Sequence, residues 1–291
     1  IEGAPVNPAG RKNLLINGGF DVWQRGTSIV KTTSATQYHA DRWSSYFPSN
    51  TITKEQELLN GNKTNCLKIS QTASSYLGLN TKIEDNSIFS GRTLTISFYA
   101  KSSSGINDLK VNGTLKNGAG TDITVFSFAT GVVVTAEFTK YSYTTTIEDK
   151  SSVTLGDAGS NLALSISRAS AGTSDLTISE VQLELGSVAT DFEHRSYGEE
   201  LALCQRYFET SNGSVHWCTL VGAANIQYAF NPVFNYSTTK RSNPSLTVVS
   251  DAGVAVQLIG NNINGFDLRN NSVNTSAFSD KYLTWIADAE L

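Results

Sequence analysis

The sequence predicts a mainly β protein: an antiparallel β-sandwich over residues 13–194, a short linking helix over 195–209 and a small β module over 210–291. Three observations carry this. Apolar and polar residues alternate in many short runs. In "RTLTISFYAK", Leu94, Ile96, Phe98 and Ala100 fall on one face and Thr95, Ser97, Tyr99 and Lys101 on the other. A period of two marks a strand with one buried face. Turn pairs such as Asn60-Gly61, Asn112-Gly113 and Asn117-Gly118 punctuate these runs and suit tight hairpins. The composition agrees: of 291 residues, 39% are hydrophobic and only 16% charged, so Ser, Thr, Asn and Gly must supply the polar surface. Many short strands without intervening helices favour a sandwich, and the length accommodates two modules.

Residues 1–12, "IEGAPVNPAGRK", are polar with Pro and Gly and read as a linker from an upstream region, not as a secretory signal. "NLLINGGFDVWQRG" reads as a first strand, a turn at Asn17-Gly18-Gly19, then Phe20 and Val22 on a core face with Trp23 opposite. In "DRWSSYF", Asp41 and Arg42 read as a local ion pair beside a core Trp43. "CLKIS", "LKVNGTL", "TVFSFAT", "FTKYSYTTTI" and "NLALSIS" continue the strands. In "DLTISEVQLEL" the apolar positions change parity: Leu176 and Ile178 are even, Val181, Leu183 and Leu185 odd. A slip of one residue at Ser179-Glu180 predicts a bulge, and bulges re-aim side chains.

Leu201, Cys204, Gln205 and Phe208 recur at helical spacing, and Glu199 and Glu200 stand where a helix N-terminus favours anions. Strands resume in "LTVVS", "GVAVQLIG" and "DKYLTWIADAEL". This last module of about 80 residues is marginal alone, and oligomerisation would cover its edges and aromatic area.

Several function classes are disfavoured. A net charge of −4 implies no basic face for nucleic acid. No apolar run approaches the roughly 20 residues of a membrane-spanning helix. Cys66, Cys204 and Cys218 lack metal or redox spacing and read as inert thiols. No nucleophile elbow, zinc-protease or phosphate-loop motif occurs, and His39, His194 and His216 share no motif spacing, so no enzyme is expected.

"NLLINGGFDVWQRG", "ADRWSSYF", "IEDNSIFSGRTLTISFYAKS", "VQLELGSVATDFEHRSYGEELALCQRYFE" and the terminal "ADAEL" together resemble a family of bacteriophage tail-fibre and receptor-binding proteins. The likeness covers about residues 13–208 and extends more loosely into the last module, where "STTKRSNPSLTV" follows the pattern only in part. The first module also looks like the jelly roll of carbohydrate-binding modules. The resemblance implies a virion appendage, a homotrimer joined to other virion proteins through its N-terminus. Its module over 210–291 would be a trimerisation or receptor-binding tip, and the target a host-surface glycan or outer-surface protein. A decoration or connector protein and a polysaccharide depolymerase are the alternatives.

The resemblance also implies a structural calcium tying the first strand to the last. Calcium takes six to eight hard oxygens, and the candidates are the Gly18 carbonyl and the Asp21 and Glu180 carboxylates. Glu180 could instead face water or pair with Arg168 or Lys12. Sugars are held by aromatic faces with polar groups at the rim. The candidates are Tyr46, Phe47 and Tyr76 in the first module and Trp217, Tyr228 and Tyr236 in the last.

Overall fold

The computed structural model describes residues 11–84, 86–116, 122–149, 160–168, 170–211, 213–220, 232–250, 256–270 and 279–290. The chain divides into two compact units, Ile1–Glu200 and Leu201–Leu291.

The alternating runs become strands. In the first unit these are β1 (Ser28–Lys31), β2 (Gln37–Tyr38), β3 (Ser44–Ser45), β4 (Asn50–Leu59), β5 (Asn62–Gln71), β6 (Gly78–Glu84), β7 (Thr93–Lys101), β8 (Ile106–Lys116), β9 (Ile123–Val134), β10 (Thr139–Thr146), β11 (Asn161–Arg168) and β12 (Asp175–Leu185). They form two six-stranded sheets, ordered β1-β4-β5-β12-β7-β10 and β2-β3-β6-β11-β8-β9. Pairing is antiparallel and the chain passes repeatedly between the sheets, giving a jelly-roll sandwich. Leu67, Ile69, Ile96 and Phe98 of the first sheet share one buried core with Leu79, Val111, Leu164 and Ile166 of the second. Asn60 and Gly61 both have positive φ (50° and 82°) and turn β4 into β5, as a two-residue hairpin with an Asn-Gly pair should.

Asn112-Gly113 is no turn. Both residues lie inside β8, and Gly113 stands opposite Phe126. A Cβ at Gly113 would fall 2.2 Å from the Phe126 ring, so the glycine makes room for that core aromatic.

The opening stretch also departs from expectation: residues 13–26 form no strand. Side chains pin it instead. Asn13 Oδ1 accepts the Leu15 and Leu183 N–H groups, while its Nδ2 donates to the Val181 carbonyl. Asn17, at φ 58°, donates Nδ2 to the carbonyls of Val22 and Asp41 and accepts the Val22 N–H. Trp43 Nε1 donates to the Asn17 carbonyl. Phe20, Val22 and Trp43 are fully buried, while Trp23 packs partly buried against the core. Asp41 pairs with Arg25 at 2.9 Å, and Arg42 donates to the Lys82 carbonyl.

His39 sits fully buried beside this stretch. Its Nδ1 accepts the Ala40 N–H at 3.0 Å, which requires a neutral ring. Burial, with Arg25 and Lys31 nearby, pushes its pKa down to about 3. An unfolded chain protonates His39 near pH 6.5. Between about pH 6.5 and 3 the unfolded state therefore holds a proton that the folded state refuses, and stability falls with pH through that window. By pH 4.5 this costs about 2–3 kcal/mol. Calorimetry at pH 7 and 4.5 should show a smaller acid loss in His39→Asn, whose carboxamide oxygen can replace the Nδ1 acceptor.

A helix, α1 (Tyr197–Gln205), follows. Ser196 and Glu199 form a reciprocal capping box: Ser196 N donates to Glu199 Oε2 at 3.1 Å and Glu199 N to Ser196 Oγ at 3.4 Å. The helix ends before Phe208, the last residue of the helical spacing. Phe208 instead opens β13 (Phe208–Thr210).

The second unit adds β14 (Val215–Leu220), β15 (Val233–Asn235), β16 (Ser245–Ser250), β17 (Val256–Asn261), β18 (Gly265–Asn270) and β19 (Ser279–Asp288). Strands β13, β14 and β16 all pair with β19, and β15-β18-β17 make a three-stranded sheet. Its core is small: Tyr236, Phe266, Leu268, Leu283, Trp285 and Ala287. Beside it lies a buried ion pair. Lys240 Nζ donates to Glu209 Oε2 and to the carbonyls of Gln205 (2.6 Å) and Thr238 (3.2 Å), and Glu209 accepts the Ser237 N–H at 3.0 Å.

Candidate functional site

Three of the predicted glycan-binding aromatics come together. Tyr46 and Phe47 follow β3, and Tyr76 precedes β6. The Tyr46 and Phe47 rings meet edge-on at 5.6 Å, and Phe47 and Tyr76 lie 5.2 Å apart. Tyr46 and Tyr76 are 47% and 44% exposed. Asn50 Nδ2 donates to the carbonyls of both Phe47 (3.0 Å) and Tyr76 (3.3 Å), fastening the two arms of the trio.

A chain of polar contacts braces the Tyr76 side. Arg168 donates to Ser174 Oγ, Ser174 to Gln71 Oε1 and Gln71 to the Ser75 carbonyl. Ser75 and Gly172 exchange both backbone hydrogen bonds. A Cβ at Gly172 would stand 2.3 Å from Arg168 Nη1, so any larger residue there would displace the guanidinium. Burial would raise the Asp108 carboxyl, but hydrogen bonds from Ser170 and the guanidinium of Arg168 hold it below the usual range.

The trio adjoins the outer face of the second sheet. Leu79, Val111, Leu164 and Ile166 point into the core, so the residues between them point out. Registered pairs line up Tyr38, Ser44, Asn80, Ser165, Asn112 and Ser127 across all six strands. Ser127 Oγ donates to Asn112 Oδ1 at 2.7 Å. Small amides and hydroxyls beside exposed rings can satisfy sugar hydroxyls while the rings cover their C–H faces. The alternation in "LKVNGTL" and "NLALSIS" already holds these outward positions; their alignment into a row depends on strand pairing.

The parity slip in β12 is a bulge: its register with β7 shifts between Ser179 and Gln182, and Glu180 has φ 50°. Asp21 and Glu180 line one cavity of about 110 Å³ with Gly19, Lys63, Asn65 and His194. Glu180 also lines a second, of about 250 Å³, with Asn60, Tyr99, Lys140 and Asp191. Burial pushes the Glu180 carboxyl up, and His194 and Lys140 pull it partly back. Gly18 stays out of both cavities. Its carbonyl accepts the Val181 N–H at 2.9 Å, and a Cβ there would fall 2.1 Å from the Val181 carbonyl oxygen.

The donor set falls short of a calcium shell. It consists of two carboxylates and the Asn65 carboxamide, whose N–H donates to Asp21 at 2.6 Å, with a lysine ammonium in the same wall. Among the described residues no group of three His, Cys, Asp or Glu side chains is placed to hold a metal.

In the second unit, Tyr236 is core, not surface. It is buried against Phe266 and Trp285, Lys240 lies over its ring at 4.6 Å, and its hydroxyl donates to Asn261. Tyr228 and the Trp217 side chain lie outside the described residues. Cys66 and Cys204 are buried and form no disulfide, and burial pushes the Cys66 thiol up to about 11.

No protein-family profile and no curated protein matches the chain. Solved structures do. A CBM4 structure is 17% identical with a TM-score of 0.36, covering 58% of this chain and 98% of that one. A family 11 carbohydrate-binding module from Clostridium thermocellum, in complex with a β-1,3-1,4-mixed-linked tetrasaccharide, is 16% identical with a TM-score of 0.33, covering 56% and 99%. The enzymatically active domain of tailspike protein 4 of bacteriophage CBA120 is 14% identical with a TM-score of 0.40, covering 60% of this chain and 21% of that one.

Proposed function

We propose that the protein is a non-catalytic glycan-binding protein, and that the first unit takes the glycan on the outer face of its second sheet. The Tyr46–Phe47–Tyr76 trio beside a row of amides and hydroxyls carries this reading. One sugar ring stacks on the trio and its hydroxyls meet Asn80, Ser165 and Asn112. Tyr46→Ala and Tyr76→Ala should each weaken polysaccharide binding about 10-fold, read by affinity electrophoresis, with the thermal transition unmoved. Undiminished binding in the double variant would retire the site.

The setting we propose is the one the sequence resemblance implies: a phage appendage that attaches to a host-surface glycan, with the second unit joining three copies. Exposed apolar residues on that unit support the assembly. On β19 Leu283, Trp285 and Ala287 point inward, leaving Tyr282 and Ile286 on the outer face beside Val249 of β16, each 40% exposed or more. Such a patch favours burial against another chain. Sedimentation should give three times the 31.3 kDa chain mass, and Ile286→Lys with Val249→Lys should reduce it to the monomer.

A further inference from the structure

The row of the second sheet nearest the trio has a different ending from its neighbours. Ser167 of β11 stands opposite Gly78 of β6 on one side and Lys110 of β8 on the other. Phe47 lies over Gly78: a Cβ there would touch its ring at 3.5 Å. The row therefore runs from an aromatic ring, over two small residues, to an ammonium group. Adjacent strands are about 4.8 Å apart, so Lys110 lies about 10 Å from Gly78, the scale of a disaccharide.

Lys110 is half-buried and makes no ion pair or hydrogen bond among the described residues. The nearest carboxylate along β8, Asp108, is committed to Arg168 Nε at 3.1 Å and to the Ser170 N–H at 2.9 Å. Lys116, farther along the same strand, pairs with Asp122. In a chain of net charge −4, this leaves, among the described residues, a cation without a counter-ion at the end of the row that the trio begins.

We propose that the glycan taken by this face is an acidic polysaccharide, with one ring on the trio and the carboxylate of a neighbouring uronic-acid-type ring at Lys110; this rests on the glycan-binding reading above. The two small residues between leave the chain room to lie flat on the sheet. The ammonium and that carboxylate form a hydrogen-bonded ion pair, which a neutral sugar cannot make.

The test compares polygalacturonate, hyaluronan and polysialic acid with their carboxyl-esterified forms and with neutral xylan, mannan and β-glucan, using the full chain and Lys110→Gln. Binding to an acidic polymer should weaken at least 10-fold on esterification and to a similar degree in Lys110→Gln. Lys116→Gln should bind as the parent does. Binding to a neutral polymer that needs Tyr46 and Tyr76 but not Lys110 would overturn the acidic class and leave the glycan site standing. Equal losses in Lys110→Gln and Lys116→Gln, without dependence on the tyrosines, would show diffuse charge attraction and overturn the inference. No binding to any polymer would overturn the glycan reading itself.

Discussion

Replacing Asn17 by alanine is expected to destabilise the first unit by about 4 kcal/mol. The side chain makes three buried hydrogen bonds, to the carbonyls of Val22 and Asp41 and from the Val22 N–H. Alanine satisfies none of them and leaves three backbone groups dry, each costing about 1–3 kcal/mol. It also tolerates φ 58° less well than asparagine. Asn17→Gly separates the two contributions, since glycine loses the same bonds but accepts the backbone. It should recover about 1 kcal/mol relative to alanine. Calorimetry with Trp fluorescence reads both, Trp43 being bonded to the Asn17 carbonyl. A loss under 1 kcal/mol in Asn17→Ala would mean that the stretch is held by the Asn13 and Arg195 bonds and its buried apolar residues, not by Asn17.

Glu209→Gln is expected to cost the second unit about 3–5 kcal/mol. Lys240 is 1% exposed, and desolvation already pushes its pKa down against the pull of Glu209. Without that carboxylate the ammonium must either stay buried and uncompensated or give up its proton. The double variant Glu209→Gln with Lys240→Met should recover most of the loss, because no charge is then buried. Urea unfolding of the four proteins in the cycle measures the coupling. Additive losses would show that the two residues act separately.

Much of the fold was legible because a half-buried strand leaves a period of two. Even the β12 bulge showed as a change of parity at Ser179-Glu180. What was not legible lacks a period. Asn13 and Asn17 hold the opening stretch through side-chain bonds to backbone, so a segment that looks strand-like folds without joining a sheet. Asn112-Gly113 has the chemistry of a turn, but a core aromatic needs the glycine's empty side. Lys240 and Glu209 lie 31 positions apart, and no local pattern joins them. Glu199 and Glu200 were readable as the acidic start of a helix, whereas the box that Ser196 forms with Glu199 emerged from the structure. In the candidate site, Tyr46, Phe47 and Tyr76 were identified by residue type. Their meeting, and the row ending at Lys110, required the register of four strands.

The bonds at the ends of the first unit have a mechanical consequence. Asn13 N donates to Glu193, and Arg195 donates to the carbonyls of Asn13 and Leu15. Where the backbone enters the sandwich and where it leaves are thus stitched directly together. Tension pulled along the polypeptide would pass through this short seam, bypassing both sheets. The sandwich would hang beside the line of force as a side-mounted load, the outer face that carries Tyr46, Phe47 and Tyr76 undeformed until the seam ruptures.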